Sequence, residues 1–480
     1  MHWLEQVYGL LWGPPGVAVM AGTGLYLSLC TGFPQITLLP RAFRALSAPK
    51  EADGGVTPFQ ALCTALAATV GTGNIIGVSG AICLGGPGAI FWMWLCGFLG
   101  MATKFAEVTL ARRYRVSSGG EMVGGPMYMI QKGLPQRWRF LAYLYSAFGV
   151  IAAFGVGNAT QVNAVVSGFN DILASHGREP SMPGNLLVGG LMALAVGLVL
   201  FGGVKRIAAA AEKLVPAVSV GYILLCLWVL IKCRRRIPGA FAAILEGAVS
   251  PRAVTGGMIG SAFVSLRTGC ARGIFTNEAG MGTASMAYAA AREGHPAELG
   301  LLGLLEVFAD TIVICTLTAL AVLCGGVAIP YGVDAGGVLP FRVVSTVCGG
   351  WAAGALTFFL SVFAFATVLG WGLYGARCGQ FLFGPGFWKT FVWMQMGGVL
   401  LGALLETQTL WLAAEIVNGL MAVPNLIALA ALSQELRRLV REYKKKCLHF
   451  EEDEKAIMEK KERRANHEKS AAVDSDAGAF

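Results

Sequence analysis

Long apolar runs dominate the chain, each bounded by Gly/Pro turns or a short charged patch. They fall at about 14–34, 60–84, 89–111, 140–168, 186–203, 211–231, 255–290, 299–325, 350–378, 388–405 and 409–432. A helix needs about 20 apolar residues to cross a bilayer, so the pattern predicts about 11 transmembrane helices and an all-α polytopic membrane protein. The runs stop near 433, which divides the chain into a transmembrane domain, 1–433, and a charged tail, 434–480.

Composition sharpens this picture. Of 480 residues 55% are hydrophobic and 14% charged, against about 25% charged in ordinary soluble domains, which excludes one water-exposed globule. The charges are also segregated, because 23 of the 65 lie in the last 47 residues. That tail alternates basic and acidic residues from Glu435 to Lys469 and reads as a solvated cytoplasmic extension. A net charge of +9 does not indicate nucleic acid, since the basic residues sit in short runs flanking apolar blocks, as the positive-inside bias requires.

Arg41, Arg44 and Lys50, then Arg112 to Arg139, Lys205 and Arg206, Arg377 and Lys389, and Lys444 to Lys446 all fall on one side if the N-terminus is outside. The expected location is therefore the cell (inner) membrane, with the C-terminus in the cytoplasm. Lys232 and Arg234 to Arg236 stand as an exception. Met1 to Gly13 carries Glu5 and no Lys or Arg, so the first block reads as a retained helix and not as a signal peptide. The cysteines lie mostly in or beside apolar blocks without any C-x-x-C and read as small packing hydrophobes.

Two apolar blocks carry features that a simple spanning helix does not need. In the first, Thr69-Val70-Gly71-Thr72-Gly73-Asn74-Ile75-Ile76-Gly77 interrupts the block at 60–84 with glycines that weaken a helix. Unwound backbone survives in hydrocarbon only where protein buries it or where it lines a cavity, and its free amides and carbonyls then become ligands for an anion and a cation. Close helix packing through small residues is the commoner cause of such glycines. In the second, Arg267 to Gly282 places two Arg, Glu278, Asn277 and four glycines in the block at 255–290, where they cannot face lipid. The alternative is a cytoplasmic loop between two apolar runs. With the initial helix set aside, the two segments are the first and sixth helices of a five-plus-five scheme, which is the sequence pointer to a transporter site at a repeat interface. The repeats would span 58–231 and 252–432.

The remaining intramembrane polar residues are Asn158, Gln161 and Asn163, Glu306 and Asp310, Thr367 and Trp371, and Asn418 and Asn425. Singly, such residues are most often interhelical hydrogen-bonding groups. Glu306 and Asp310 share a helix face, as a proton relay or, preferably, as a structural pair with Arg267 or Arg272, since buried carboxylates need basic partners. Lys104 and Glu107 read the same way.

Several motifs in order resemble the alanine or glycine:cation symporters, also called sodium:alanine symporters. They are Ala68-Thr69-Val70-Gly71-Thr72-Gly73-Asn74-Ile75, Gly85-Gly86-Pro87-Gly88, Gly124-Gly125-Pro126-Met127-Tyr128, Asn277-Glu278-Ala279-Gly280-Met281-Gly282, Asp310-Thr311-Ile312 and Asn418 to Asn425. The resemblance covers about 58–430. It implies a leucine-transporter-type inverted repeat with discontinuous helices plus one extra N-terminal helix. It also implies a secondary transporter that imports alanine or glycine with sodium by alternating access and uses no organic cofactor. By that likeness the substrate carboxylate sits on the amides around Thr72 and Gly73, and the ammonium meets carbonyls of the second broken helix and Gln161. Phe275, Thr276, Asn277 and Trp371 wall a small pocket. Sodium uses carbonyls near Ala68 and Gly71 with the hydroxyl of Thr367, although Ala366 and Val368 stand where members often carry a second hydroxyl.

Other classes find little support. The Gly71–Gly77 run is neither a dinucleotide fingerprint nor a Walker motif and follows no strand. The five histidines lie near termini or in loops, and neither H-E-x-x-H nor G-x-S-x-G occurs, so the chain is not expected to be an enzyme. A channel would need a ring or filter that one chain of unequal helices does not offer. Within transport the alternative is a proton-coupled carrier using Glu278, Glu306 or Asp310.

Overall fold

A computed structural model describes residues 2–46, 55–175, 177–291, 294–405 and 407–447. Lys50 and residues 448–480 of the tail lie outside the described residues. Among those described, seven helices are long and apolar enough to cross a membrane: Ala89–Arg113, Gln136–Asn170, Met182–Leu200, Gly203–Lys232, Pro296–Cys324, Trp351–Phe383 and Leu412–Ala431. An eighth span is a bent pair, Pro58–Thr69 and Gly73–Gly85, whose halves meet at 53°. The other three of the eleven expected blocks are helical over shorter stretches, Pro14–Thr31, Ala262–Asn277 and Phe387–Gly402.

Local chemistry starts and stops these helices. Thr57 caps the first half of the bent pair through a reciprocal box: its hydroxyl accepts the Gln60 amide at 3.1 Å, and Gln60 Oε1 accepts the Thr57 amide at 3.0 Å. Pro58 follows at the first helical position, where no amide is needed. At the other extreme, Gly32 ends Pro14–Thr31 in the left-handed region at φ 73°, which costs glycine nothing. One hairpin, Val116–Ser118 with Glu121–Val123, turns through Gly119 and Gly120, both at positive φ.

Three spans contain π-helical turns, Gly73–Gly77, Gly155–Ala159 and Phe308–Cys315. Gly73–Gly77 packs against Phe308–Cys315, and Gly155–Ala159 against Trp351–Phe383. The second broken helix is Ala262–Asn277 followed by Ser285–Ala289, with Glu278 at φ 53° and glycines 280 and 282 at φ 100° and 75° between them. The polar run from Arg267 to Asn277 therefore stays helical, and the unwinding starts only at Glu278. Gly269 and Gly273 serve close packing instead, because a Cβ on Gly269 would lie 2.1 Å from the Ala89 carbonyl oxygen.

The basic loops meet at one end of the bundle, where Arg113 pairs with Glu435 at 3.0 Å and Arg377 with Glu121 at 2.6 Å. Lys232 and Arg236 lie at the opposite end. There Arg236 donates to the Cys324 carbonyl at 3.0 Å and Lys232 to that of Val347 at 3.3 Å. Both satisfy carbonyls in the last turn of a helix, which gives these exceptional cations a structural use. The start of the tail is helical over residues 433–447 and only partly solvated, since Leu436, Leu439 and Val440 are buried while Arg437, Arg438 and Arg441 stay exposed.

Candidate functional site

The site begins where the first broken helix gives up its ladder. The Val70 amide still bonds to Leu66, but the Gly71 amide turns to Asn74 Oδ1 at 2.9 Å, which releases carbonyls of the preceding turn. Asn74 is anchored in turn, donating to Asp310 Oδ1 at 2.6 Å. Across the break, Thr72 Oγ1 donates to Gln161 Oε1 at 3.1 Å, and Gln161 Nε2 donates to the Val156 carbonyl at 3.1 Å. That carbonyl belongs to the second π turn. Helix distortion therefore orients the glutamine, as π turns commonly do at functional positions.

A cavity of about 20 Å³ sits at this junction. Nine of the ten residues expected at the site line it: Ala68, Gly71, Thr72, Gly73, Gln161, Phe275, Thr276, Thr367 and Trp371. The tenth, Asn277, faces elsewhere: its Nδ2 donates to Thr311 Oγ1 at 3.1 Å, and its Oδ1 accepts the Ala279 amide at 3.0 Å. Glu278 lines the cavity in its stead. Its Oε1 accepts the Trp371 indole N–H at 3.0 Å and its Oε2 the Thr283 hydroxyl at 2.6 Å. The αL turn at Glu278 swings this carboxylate inward, a geometry for which Asn277-Glu278-Ala279-Gly280 is the only sequence cue.

Thr367 Oγ1 is buried and has no hydrogen-bond partner. It faces Gly71 closely enough that a Cβ there would lie 2.8 Å from this oxygen. An orphaned buried hydroxyl opposite freed backbone carbonyls is a fitting donor set for a hard, partly dehydrated monovalent cation. Among the described residues no cluster of three or more His, Cys, Asp or Glu is placed to hold a metal.

The carboxylates behind the site find partners other than those expected. Glu306 pairs with Lys104 at 3.2 Å, both fully buried, and accepts the Tyr288 hydroxyl at 3.1 Å. Arg272 pairs instead with Glu415 at 3.0 Å, and Arg267 is exposed. Asp310 accepts from the Asn74 amide and, at 2.9 Å, from the Thr311 hydroxyl, both neutral groups. Glu306 and Asp310 are therefore not a joint partner of either arginine. Glu107 Oε1 accepts the amides of Gly280 and Gly282 at 2.8 and 3.0 Å and the Asn425 amide at 2.8 Å. It thus clamps the unwound link of the second broken helix to Ala89–Arg113.

Helices broken at facing positions, with unwound backbone around a small polar cavity, define a secondary transporter of the membrane-helix type. The chain belongs to the sodium:alanine symporter family, which it matches over residues 1–458. It is 41% identical over 441 residues to the sodium/alanine symporter AgcS of Methanococcus maripaludis, covering 90% of this chain and 94% of that one. It is 36% identical over 454 residues to the probable sodium/glutamine symporter GlnT of Bacillus subtilis, covering 92% and 91%. Its fold is similar to that of MhsT, solved in complex with L-phenylalanine, with a TM-score of 0.58 at 17% identity over 80% of this chain and 90% of that one. The leucine-transporter-type fold expected from the sequence is thereby borne out. The chain is a cation-coupled amino-acid symporter and not an enzyme; its family's coupling ion is sodium, and no organic cofactor is required.

Proposed function

We propose that the protein imports a small neutral amino acid, alanine or glycine, driven by sodium. The observation that carries this reading is the orphaned Thr367 hydroxyl facing Gly71 in the cavity that Thr72, Gly73 and Gln161 share. Sodium binds the carbonyls near Ala68 and Gly71 and the Thr367 hydroxyl. With Ala366 and Val368 on either side, that helix supplies one hydroxyl only. The substrate carboxylate rests on the amides around Thr72 and Gly73, while its ammonium meets Gln161 and carbonyls of the second broken helix. Phe275, Thr276 and Trp371 limit the side chain, and the small cavity supports a substrate with little or none; Asn277 acts from behind the wall through Thr311.

The repeats are assigned to 58–231 and 252–432 within a transmembrane domain spanning 1–433. The protein is placed in the cell (inner) membrane with its N-terminus outside and its C-terminus in the cytoplasm, in keeping with the grouping of basic loops at one end of the bundle.

The test is uptake of labelled alanine and glycine, with glutamine as comparison, into proteoliposomes under an inward sodium gradient or equal potassium at one pH. Sodium-dependent alanine or glycine uptake supports the proposal. A preference for glutamine overturns the substrate assignment. Uptake indifferent to sodium but driven by a proton gradient favours the second reading, a proton-coupled carrier, for which buried Asp310 with its two neutral partners is the specific observation.

A further inference from the structure

A second cavity, about 390 Å³, adjoins the first and shares Thr72, Gly73 and Phe275 with it. Arg272 and Asp334 also line this larger space, which lies toward the bundle end that carries Lys232 and Arg236. Of the three shared residues, Phe275 carries the one large side chain at the boundary between this roomy vestibule and the site. It is only half-buried, and the ring that holds it comes from the N-terminal helix His2–Leu11 and its continuation. Trp12 meets Phe275 edge to face, with centroids 5.9 Å apart and planes at 67°.

Trp12 is itself fixed. It is 2% exposed, and its indole N–H donates to the Glu415 carbonyl at 2.9 Å. The carboxylate of the same Glu415 pairs with Arg272, which lies three residues before Phe275 and so on the same helix face. Gly419, one turn further along, is closed over by Leu11 and Trp12. Covering an apolar helix would require only aliphatic contacts. Here a directional N–H to the Glu415 carbonyl fixes Trp12, and the edge of the ring so fixed meets Phe275 between the two cavities.

We infer that Trp12 is a positioning residue for transport: backed by helix His2–Leu11, it holds Phe275 in place as the inner wall of the vestibule. The inference rests on the transport reading above for its kinetic consequence, but not for its geometry. With Phe275 released, a bound amino acid escapes to the vestibule more readily, so KM rises. A helix that only packs would change the amount of working transporter, lowering the maximal rate at constant KM.

The experiment compares purified wild type, Trp12→Leu and Trp12→Phe. In sodium-driven alanine uptake, Trp12→Leu should raise KM about three- to tenfold, the range of an aromatic pair contact, and Trp12→Phe should restore it to within about twofold by keeping a ring edge. An unchanged KM in Trp12→Leu, or no recovery with phenylalanine, overturns the inference. Should Trp12→Leu not fold, Trp12→Met takes its place: it removes the ring edge while keeping a large apolar side chain, so it should raise KM as stated for Trp12→Leu, and an unchanged KM overturns the inference. Hydrogen exchange without substrate separates this inference from the functional reading. Faster exchange at residues 272–277 in Trp12→Leu, with Trp351–Phe383 unchanged, supports it even if wild type transports neither amino acid, and unaltered exchange there overturns it.

Discussion

At Gly157 the lack of a side chain decides where Trp371 stands. A Cβ there would lie 2.2 Å from the Trp371 Cβ, and the indole cannot yield, being fully buried and tied to Glu278. Gly157→Ala should therefore cost about 1–3 kcal/mol as an overpacked core does and abolish uptake. Gly190→Ala, with nothing within 4 Å of the added carbon, should leave thermal stability and uptake near wild type in the same assays. Gln161→Ala should weaken amino-acid binding while the melting temperature holds, because Gln161 lines the cavity and ties Thr72 to Val156; an unchanged affinity would remove it from the site. His295 gives a pH-dependent case. Its Nδ1 accepts the Ala297 amide at 3.2 Å as the cap of Pro296–Val307, and burial holds its pKa below the ordinary 6.5. A lowered histidine pKa means that the unfolded chain binds the proton more tightly, so this contribution is complete above pH 6.5 and is lost as pH falls through the folded value. Melting curves taken from about one unit above the ordinary histidine value downward into acid should show a shallower acid loss for His295→Asn, which caps without titrating. Thr72, Gly73, Thr367 and Trp371 stood out in the sequence as polar, aromatic or flexible residues inside spanning blocks, but it was the resemblance to the symporter family that gathered them into one expected site. Glu278 was assigned only a coupling role and Asn277 its place in the wall, because the αL turn that exchanges them is a matter of one backbone angle.

Elements are held to one another by buried charge. Lys104 on Ala89–Arg113 and Glu306 on Pro296–Val307 are both inaccessible to solvent. Removing one partner leaves the other uncompensated, so Lys104→Met should cost about 3–5 kcal/mol, and Lys104→Met with Glu306→Met should recover much of that. Thermal unfolding of wild type, both single variants and the double variant checks it; a double-variant loss equal to the sum of the two single losses would mean that the pair is not coupled. The positions of the two broken helices were readable from their glycines and charges, but the point of unwinding in the second was not. Glycines that admit a neighbouring backbone, such as Gly269, and glycines that break a helix look alike in a sequence. So do carboxylates whose partners come from helices far along the chain, which is why Glu306 was matched with a nearby arginine when Lys104 was its partner.

Over the whole molecule, the segregation of basic loops to one end and the exception at Lys232 to Arg236 were both visible in the sequence, but the reason for the exception was not, because helix capping across elements leaves no local trace. Replacing Lys232 and Arg236 by glutamine should lower stability modestly, by about 1 kcal/mol per lost carbonyl bond, without inverting the protein. A reporter fused after residue 447 should stay on the same side of the membrane as in the wild type, and relocation to the other side would show that these cations help set orientation.

The π turns carry one further consequence. Each holds one more residue per turn than the α-helix around it, so the chain beyond it is rotated by roughly the 100° that one α-helical residue spans. Phe140–Phe154 and Thr160–Ser175 are therefore two helical wheels out of phase, as are the two sides of Phe308–Cys315. Length is thus encoded here as strictly as chemistry. Deleting a single residue from such a turn would straighten the helix and rotate Gln161 or Asp310 off the axis of the site, even though every side chain the site uses would still be present.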